Sequence, residues 1–262
     1  MRKKYRVITK TIEGRTVFIW NQGPKPPKTT VFYLHGGAFI YGFNKMHFKF
    51  LKALVDMTDC RIVAPDYPLL PEASADAIHA CLLACFQETI GFEQGENVVL
   101  LGDSAGGNLA LAFAQQHRHI DRVSSARLVL ISPWLDVTME DGRIDEIQPE
   151  DPLLDKEALK TLGRRFAGTR DVKDPLVSPL YGALDGIGSI AVWTSTRDIL
   201  YPDALRLQEK ASTTKVHVEL HTYEHMLHTW VFIGLPESRR ATKEIAEHIN
   251  RIHHEGRESS IT

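Results

Sequence analysis

Ser104 lies in Gly102-Asp103-Ser104-Ala105-Gly106, between the apolar, β-branched-rich run Asn97–Leu101 and the Ala/Leu-rich run Asn108–Gln115. The first run reads as a buried strand and the second as a helix. A Gly-x-Ser-x-Gly at such a junction is a nucleophile elbow: the glycines relieve crowding at a sharp reversal, and the serine hydroxyl stands exposed at the sheet edge. A serine that attacks a carbonyl needs donors for the oxyanion it creates. Upstream, the strand-like Thr29–Leu34 runs into His35-Gly36-Gly37-Ala38-Phe39. Adjacent glycines let the backbone turn its N–H groups to a common point, so two N–H groups here and that of Ala105 form the expected oxyanion hole. His35 opens that loop ahead of the donors and reads as structural.

The hydroxyl also needs a base and an acid that orients the base, in the chain order Ser, then Asp or Glu, then His. Asp198 follows the strand-like run Ser189–Ser195, at the carboxyl end where the serine also lies. Asp203 is its rival, but Tyr201-Pro202-Asp203 reads as a helix start, where an acid favours the positive end of the dipole. The base comes from the His-rich segment 215–228. His225 and His228 both sit in a loop that can reach the serine.

These motifs resemble those of the hormone-sensitive-lipase-like branch of the α/β-hydrolase esterases. The likeness rests on His35-Gly36-Gly37-Ala38-Phe39 and Gly102-Asp103-Ser104-Ala105-Gly106-Gly107-Asn108-Leu109. It continues through Asp66-Tyr67-Pro68-Leu69-Leu70-Pro71-Glu72, Ser178-Pro179-Leu180 and the regions of Asp198 and His228, and so covers nearly the whole chain. Departures are Ala38 at the third family glycine, Pro68 and Leu70 in the Asp-Tyr segment, and His225 at a usual glycine. The resemblance implies oxyanion donors at Gly36 and Gly37, the acid at Asp198 and the base at His228. It also implies an ester hydrolase that works through an acyl-enzyme and needs no cofactor.

The elements that must position these residues alternate between strand and helix from Thr29 onward. The expected strands are Thr29–Leu34, Cys60–Ala64, Asn97–Leu101, Arg127–Ile131, Ser189–Ser195 and Lys215–Leu220, with helical stretches that include 73–92. This alternation predicts an α/β fold: a mainly parallel central sheet flanked by helices, the α/β-hydrolase fold by resemblance. Ligands bind such sheets at the carboxyl ends of the strands, where Gly36, Ser104, Asp198 and His228 all fall. Ahead of the sheet, Tyr5–Trp20 reads as a hairpin turning at Glu13-Gly14, and 23–27 as a stiff connection. One domain over residues 1–262 is expected, interrupted by an insertion at about 133–188 with a helix from Asp155 to Gly168. That insertion is a candidate lid or pocket wall. About 30 residues precede the oxyanion loop, fewer than the family's extension, which implies a reduced cap, an open acyl site and short-chain substrates.

Composition narrows the class. With 262 residues and a formal charge of −2 of mixed sign, a large core is available and no nucleic-acid partner is indicated. No run approaches the ~20 apolar residues that span a bilayer, and no signal-peptide core follows the basic Met1–Tyr5. Three cysteines argue against a disulfide framework; Cys81 and Cys85, four apart, read as small buried side chains. A cytoplasmic protein is expected, with a small-molecule ester as partner and an exposed last strand offering an edge to a second copy. His217, His221, His225 and His228 lack cysteine or carboxylate partners at zinc-site spacing, so no metal is expected. An amidase, a peptidase or a carbohydrate deacetylase would use the same triad. A non-catalytic ligand-binding member of the fold typically loses the base or the acid. A dinucleotide-binding protein would need a Gly-x-Gly-x-x-Gly after its first strand, which is missing. Phe39, Tyr41, Trp134, Asp136 and Trp230 are candidates for the pocket lining or for packing.

Overall fold

A computed structural model describes residues 7–21, 27–58, 60–91 and 97–258. The strands are β1 (Val7–Ile12), β2 (Arg15–Trp20), β3 (Thr29–Leu34), β4 (Arg61–Pro65), β5 (Asn97–Asp103), β6 (Arg127–Ile131), β7 (Ile190–Ser195) and β8 (Val218–Tyr223). They form one sheet in the order β1-β2-β4-β3-β5-β6-β7-β8. Among the described residues only β1 with β2 and β2 with β4 pair antiparallel; from β4 to β8 every pairing is parallel. The helices are α1 (Lys45–Thr58), α2 (Ala75–Thr89), α3 (Ala105–Gln116), α4 (Asp121–Ser124), α5 (Arg143–Ile147), α6 (Lys156–Ala167), α7 (Tyr201–Ala211) and α8 (Pro236–Glu258).

Because successive strand residues point to opposite faces, the central strands split their apolar residues between two cores. Leu100, Leu128, Leu130 and Val192 join α2, α3, α6 and α7 on one face. Val99, Leu101, Val129, Ile131 and Trp193 join α1 and α8 on the other. Burial on both faces explains why these strands read as continuous apolar runs rather than alternating ones.

The expected α/β architecture is the one observed, and several boundaries move. The hairpin turns at Glu13 and Gly14, both at positive φ (48° and 70°), as a tight two-residue turn demands. Its first two expected residues, and the connection at 23–27 apart from Pro27, fall outside the described residues, as does Phe92 of the 73–92 stretch. The last strand starts at Val218, not Lys215. An edge strand needs a partner, and the pairing register runs only from Ile190↔Val218 to Ser195↔Tyr223. The stretch between β6 and β7, where an insertion is expected, carries α5 and α6, and Asp155 accepts the N–H of Ala158 at 2.8 Å while Gly168 closes the helix at φ 63°. Among the described residues no helix is long and apolar enough to cross a membrane.

The order β4-β3-β5 matters most for the site. The chain winds one way from β3 to β4 and the other way from β5 to β6, so β3 and β5 flank the switch point where α/β sheets open a crevice. Leu34 pairs with Gly102, which brings the loop after β3 beside the turn after β5.

Candidate active site

Ser104 caps α3 at φ 52°, ψ −119°. This is a sparsely populated conformation for a residue with a side chain, held here because the neighbours leave no alternative. A Cβ on Gly102 would lie 2.2 Å from the Gly106 carbonyl oxygen, and one on Gly106 would lie 2.0 Å from that of Leu34. Both flanking glycines are therefore fixed by backbone approach. The Ser104 N–H donates to Ile131 O at 2.9 Å and its carbonyl accepts from Trp134 N at 3.1 Å, tying the elbow to the end of β6.

The loop after β3 is equally constrained. A Cβ on Gly36 would sit 2.3 Å from Asp103 Oδ2. Gly37 has φ 118°, and its carbonyl accepts from Ile40 N and Tyr41 N, both at 2.9 Å. Ala38 and Phe39 follow at φ 50° and 62°, so Ala38 occupies a left-handed backbone position that glycine takes at no steric cost. The carbonyls of Leu34 and His35 press against Gly106, which sets the Gly36–Gly37 main chain beside the first turn of α3. Ala105 opens that helix, where N–H groups have no partner within the helix itself.

The candidate base lies in the loop after β8. His228 Nε2 lies 2.9 Å from Ser104 Oγ and its Nδ1 lies 2.7 Å from Asp198 Oδ2. Asp198 is fully buried after β7, and its other oxygen accepts the Leu200 N–H at 2.9 Å. Ser104 and His228 keep only 7 % and 8 % of their surface. Burial alone would lower the His228 pKa, but the charge and hydrogen bond of Asp198, with further help from Asp151 and Asp103, raise it above the ordinary histidine value. The histidine loop is itself pinned: Ser195 donates to Met226 O at 2.6 Å and Ser132 accepts from Thr229 N at 3.2 Å.

The two rivals go elsewhere. His225 is exposed at φ 58°, and its N–H donates to Thr196 Oγ1. Asp203 is buried at the start of α7, where it accepts the N–H groups of Leu135 and Asp136 at 2.9 Å each. Burial, then the nearby Asp136 carboxylate, pushes it up to about 8. His221 lies flat on Trp193, with ring centroids 4.2 Å apart, so His221, His225 and His228 are placed differently. His35 stacks on Tyr67 and binds the Gly36 carbonyl through Nδ1 at 2.8 Å, and burial drives its pKa down to about 3.

Of the proposed lining residues, Phe39, Trp134, Asp136 and Trp230 are all buried, and Tyr41 is exposed. Phe39 stacks on Phe166 of α6 at 3.7 Å, with Trp134 beside it. Asp136 is held by Arg206, Tyr181 and Thr138. Sequence reasoning missed Asp151, which lies between α5 and α6 and accepts the N–H of Ile199, next to Asp198, at 3.0 Å. The available signal was its position at the head of Asp151-Pro152-Leu153-Leu154, since an aspartate often accepts backbone N–H groups just downstream.

Three comparisons show which known proteins the chain is similar to. Residues 31–232 match the alpha/beta hydrolase fold family. Among curated proteins, an esterase of Acinetobacter venetianus is 34% identical over 225 residues, which covers 83% of this chain and 73% of its own. An acetyl-hydrolase of Streptomyces hygroscopicus is 30% identical, covering 87% and 77%. Among solved structures, an esterase from the bacterial hormone-sensitive lipase family superposes with a TM-score of 0.85 at 26% identity, covering 94% of this chain and 84% of that one.

Proposed function

The chain belongs to the alpha/beta hydrolase fold family, and on that premise we propose that it is a serine carboxylesterase acting on small, short-chain esters. The observation that carries the reading is the His228 ring bridging Ser104 Oγ and Asp198 Oδ2 at 2.9 and 2.7 Å. A ring held by a buried carboxylate at Nδ1 presents Nε2 as the acceptor for the hydroxyl proton.

In the proposed reaction Ser104 Oγ attacks the ester carbonyl carbon while His228 Nε2 takes its proton. The carbonyl electron pair moves to oxygen, where the N–H groups of Gly36, Gly37 and Ala105 receive it. Collapse expels the alcohol, protonated by His228, and leaves an acyl-serine. Water, deprotonated by His228, then attacks the acyl carbon. The acid departs, and the proton returns to Ser104. Asp198 holds the imidazole tautomer and stabilises the imidazolium of each transition state.

The insertion at about 133–188 serves in this reading as a fixed pocket wall. Asn108 Nδ2 donates to Trp134 O and Val177 O at 2.9 and 2.8 Å, anchoring it to α3. The Phe39–Phe166 stack fills the space between the oxyanion loop and α6, which supports a short acyl group over a long one. Cys81 and Cys85, buried in α2 with no disulfide between them, support a cytoplasmic location. A fluorophosphonate probe and a nitrophenyl ester series from acetate to palmitate test the proposal. Labelling at Ser104 and fastest turnover at acetate to butyrate are expected. An unlabelled protein, or a maximum at palmitate, overturns it.

A further inference from the structure

The segment that enters the catalytic centre from outside the sheet is residues 148–154, between α5 and α6. Asp151 there is only 7 % exposed. Its Oδ1 accepts the N–H groups of Leu153 and Leu154 at 2.9 and 3.1 Å, and its Oδ2 accepts the N–H of Ile199 at 3.0 Å. Ile199 follows the triad acid directly. On the other side of that acid, Arg197 Nε donates to the Glu150 carbonyl at 2.6 Å. The insertion thus grips the turn of Asp198 on both flanks, with consecutive residues 150 and 151 bound to 197 and 199.

We propose that Asp151 is a positioning residue for the hydrolysis, holding the turn that aims Asp198 and setting a second carboxylate toward the His228 ring. The inference rests on the Ser104–His228–Asp198 reading and deepens it. Three acidic groups face His228: Asp198 from the loop after β7, Asp151 from the insertion and Asp103 from the end of β5, and all three act to raise its pKa. They differ in reach. Asp198 touches the ring at 2.7 Å. Asp103 is bound by the Tyr33 hydroxyl and lies 3.8 Å from His47. Among the described residues the Asp151 carboxylate bonds only to backbone N–H groups, and one of these belongs to the triad-acid turn itself. Its carboxylate therefore acts twice: by geometry on Asp198, and by charge on the imidazolium that both transition states contain. It also makes the wall and the catalytic centre one mechanical unit.

The test compares wild type, Asp151→Asn, Asp198→Asn and the double variant on a nitrophenyl acetate, with kcat/KM followed against pH. Melting curves accompany each variant, and fluorophosphonate labelling of the wild type runs alongside. Asp151→Asn is expected to lower kcat about tenfold and to move the acid limb to lower pH by about half a unit. The double variant is expected to be barely slower than Asp198→Asn, because both carboxylates act through one imidazole. Asp151→Glu, which keeps the charge, should return the acid limb toward wild type. Should the Asn variant fail to fold, Asp151→Ser removes the charge at the same readouts. An unmoved acid limb, or losses that multiply in the double variant, overturns the proposal and leaves the esterase reading standing. A wild type that takes no label overturns both.

Discussion

At the residue scale, the site depends on atoms that have no room to move. Removing the Ser104 hydroxyl in Ser104→Ala should cost about 10⁶-fold in kcat while the melting temperature stays put, as nucleophile removal does in comparable triads. Asp198→Asn should cost about 10⁴-fold, since the amide favours the wrong imidazole tautomer. The proposed mechanism needs His228 neutral in the free enzyme; burial lowers its pKa, but Asp198 together with Asp151 and Asp103 raises it on balance above 6.5. The acid limb of kcat/KM should therefore have its midpoint above 6.5, and turnover should fall as pH drops through it. A profile with a midpoint below 6.5 contradicts this. Gly36→Ala is the most local test of the oxyanion loop. Its new Cβ would meet Asp103 Oδ2 at 2.3 Å, and displacing the donors by about 1 Å should lower kcat about 10²-fold.

At the element scale, the loops after β3, β5, β7 and β8 are held by side chains whose roles the sequence does not advertise. Ser104, Asp198 and His228 stand out in sequence because glycines, strand ends and chain order mark them. Asp151, Ser132 and Ser195 are less legible: a strand end or a turn places each locally, but its bond partner lies across the fold. The ambiguity between His225 and His228 has the same origin. Both occupy one loop, and only the turn at His225, with its backbone bond to Thr196, aims the later ring at the serine. The late start of β8 was hidden because residues 215–217 alternate like the strand that follows, yet β7 offers them no pairing register. Ala38 is where local sequence and backbone disagree. Ala38→Gly should stabilise the fold by up to about 1 kcal/mol by removing a side chain from a φ of 50°, checked by urea denaturation. Asn108→Ala should cost about 2–3 kcal/mol, because the Trp134 and Val177 carbonyls lose their donors.

At the scale of the whole molecule, the architecture is readable from composition and alternation: apolar runs that bury both faces make a parallel sheet almost obligatory, and its switch point fixes where chemistry happens. What the sequence leaves open is which histidines become core. His79 and His248 are buried, each with a pKa lowered by burial to about 4, and His35 is lowered further. A group whose folded pKa lies below its unfolded value takes up protons on unfolding, so stability is full above pH 6.5 and declines as pH falls toward 4. His79 alone should remove about 3 kcal/mol across that window. Melting temperatures measured from pH 7 to pH 4 should fall steadily, and His79→Gln should flatten the lower part of the curve. The distance along the chain between the two halves of the catalytic bond has a further consequence. Ser104 meets His228 across 124 positions, and the histidine lies beyond the last strand. During synthesis on the ribosome the nucleophile emerges long before any base exists to arm it. In the proposed mechanism a polypeptide cut short before His228 is therefore a harmless one, and hydrolytic power arrives only once that histidine has been added.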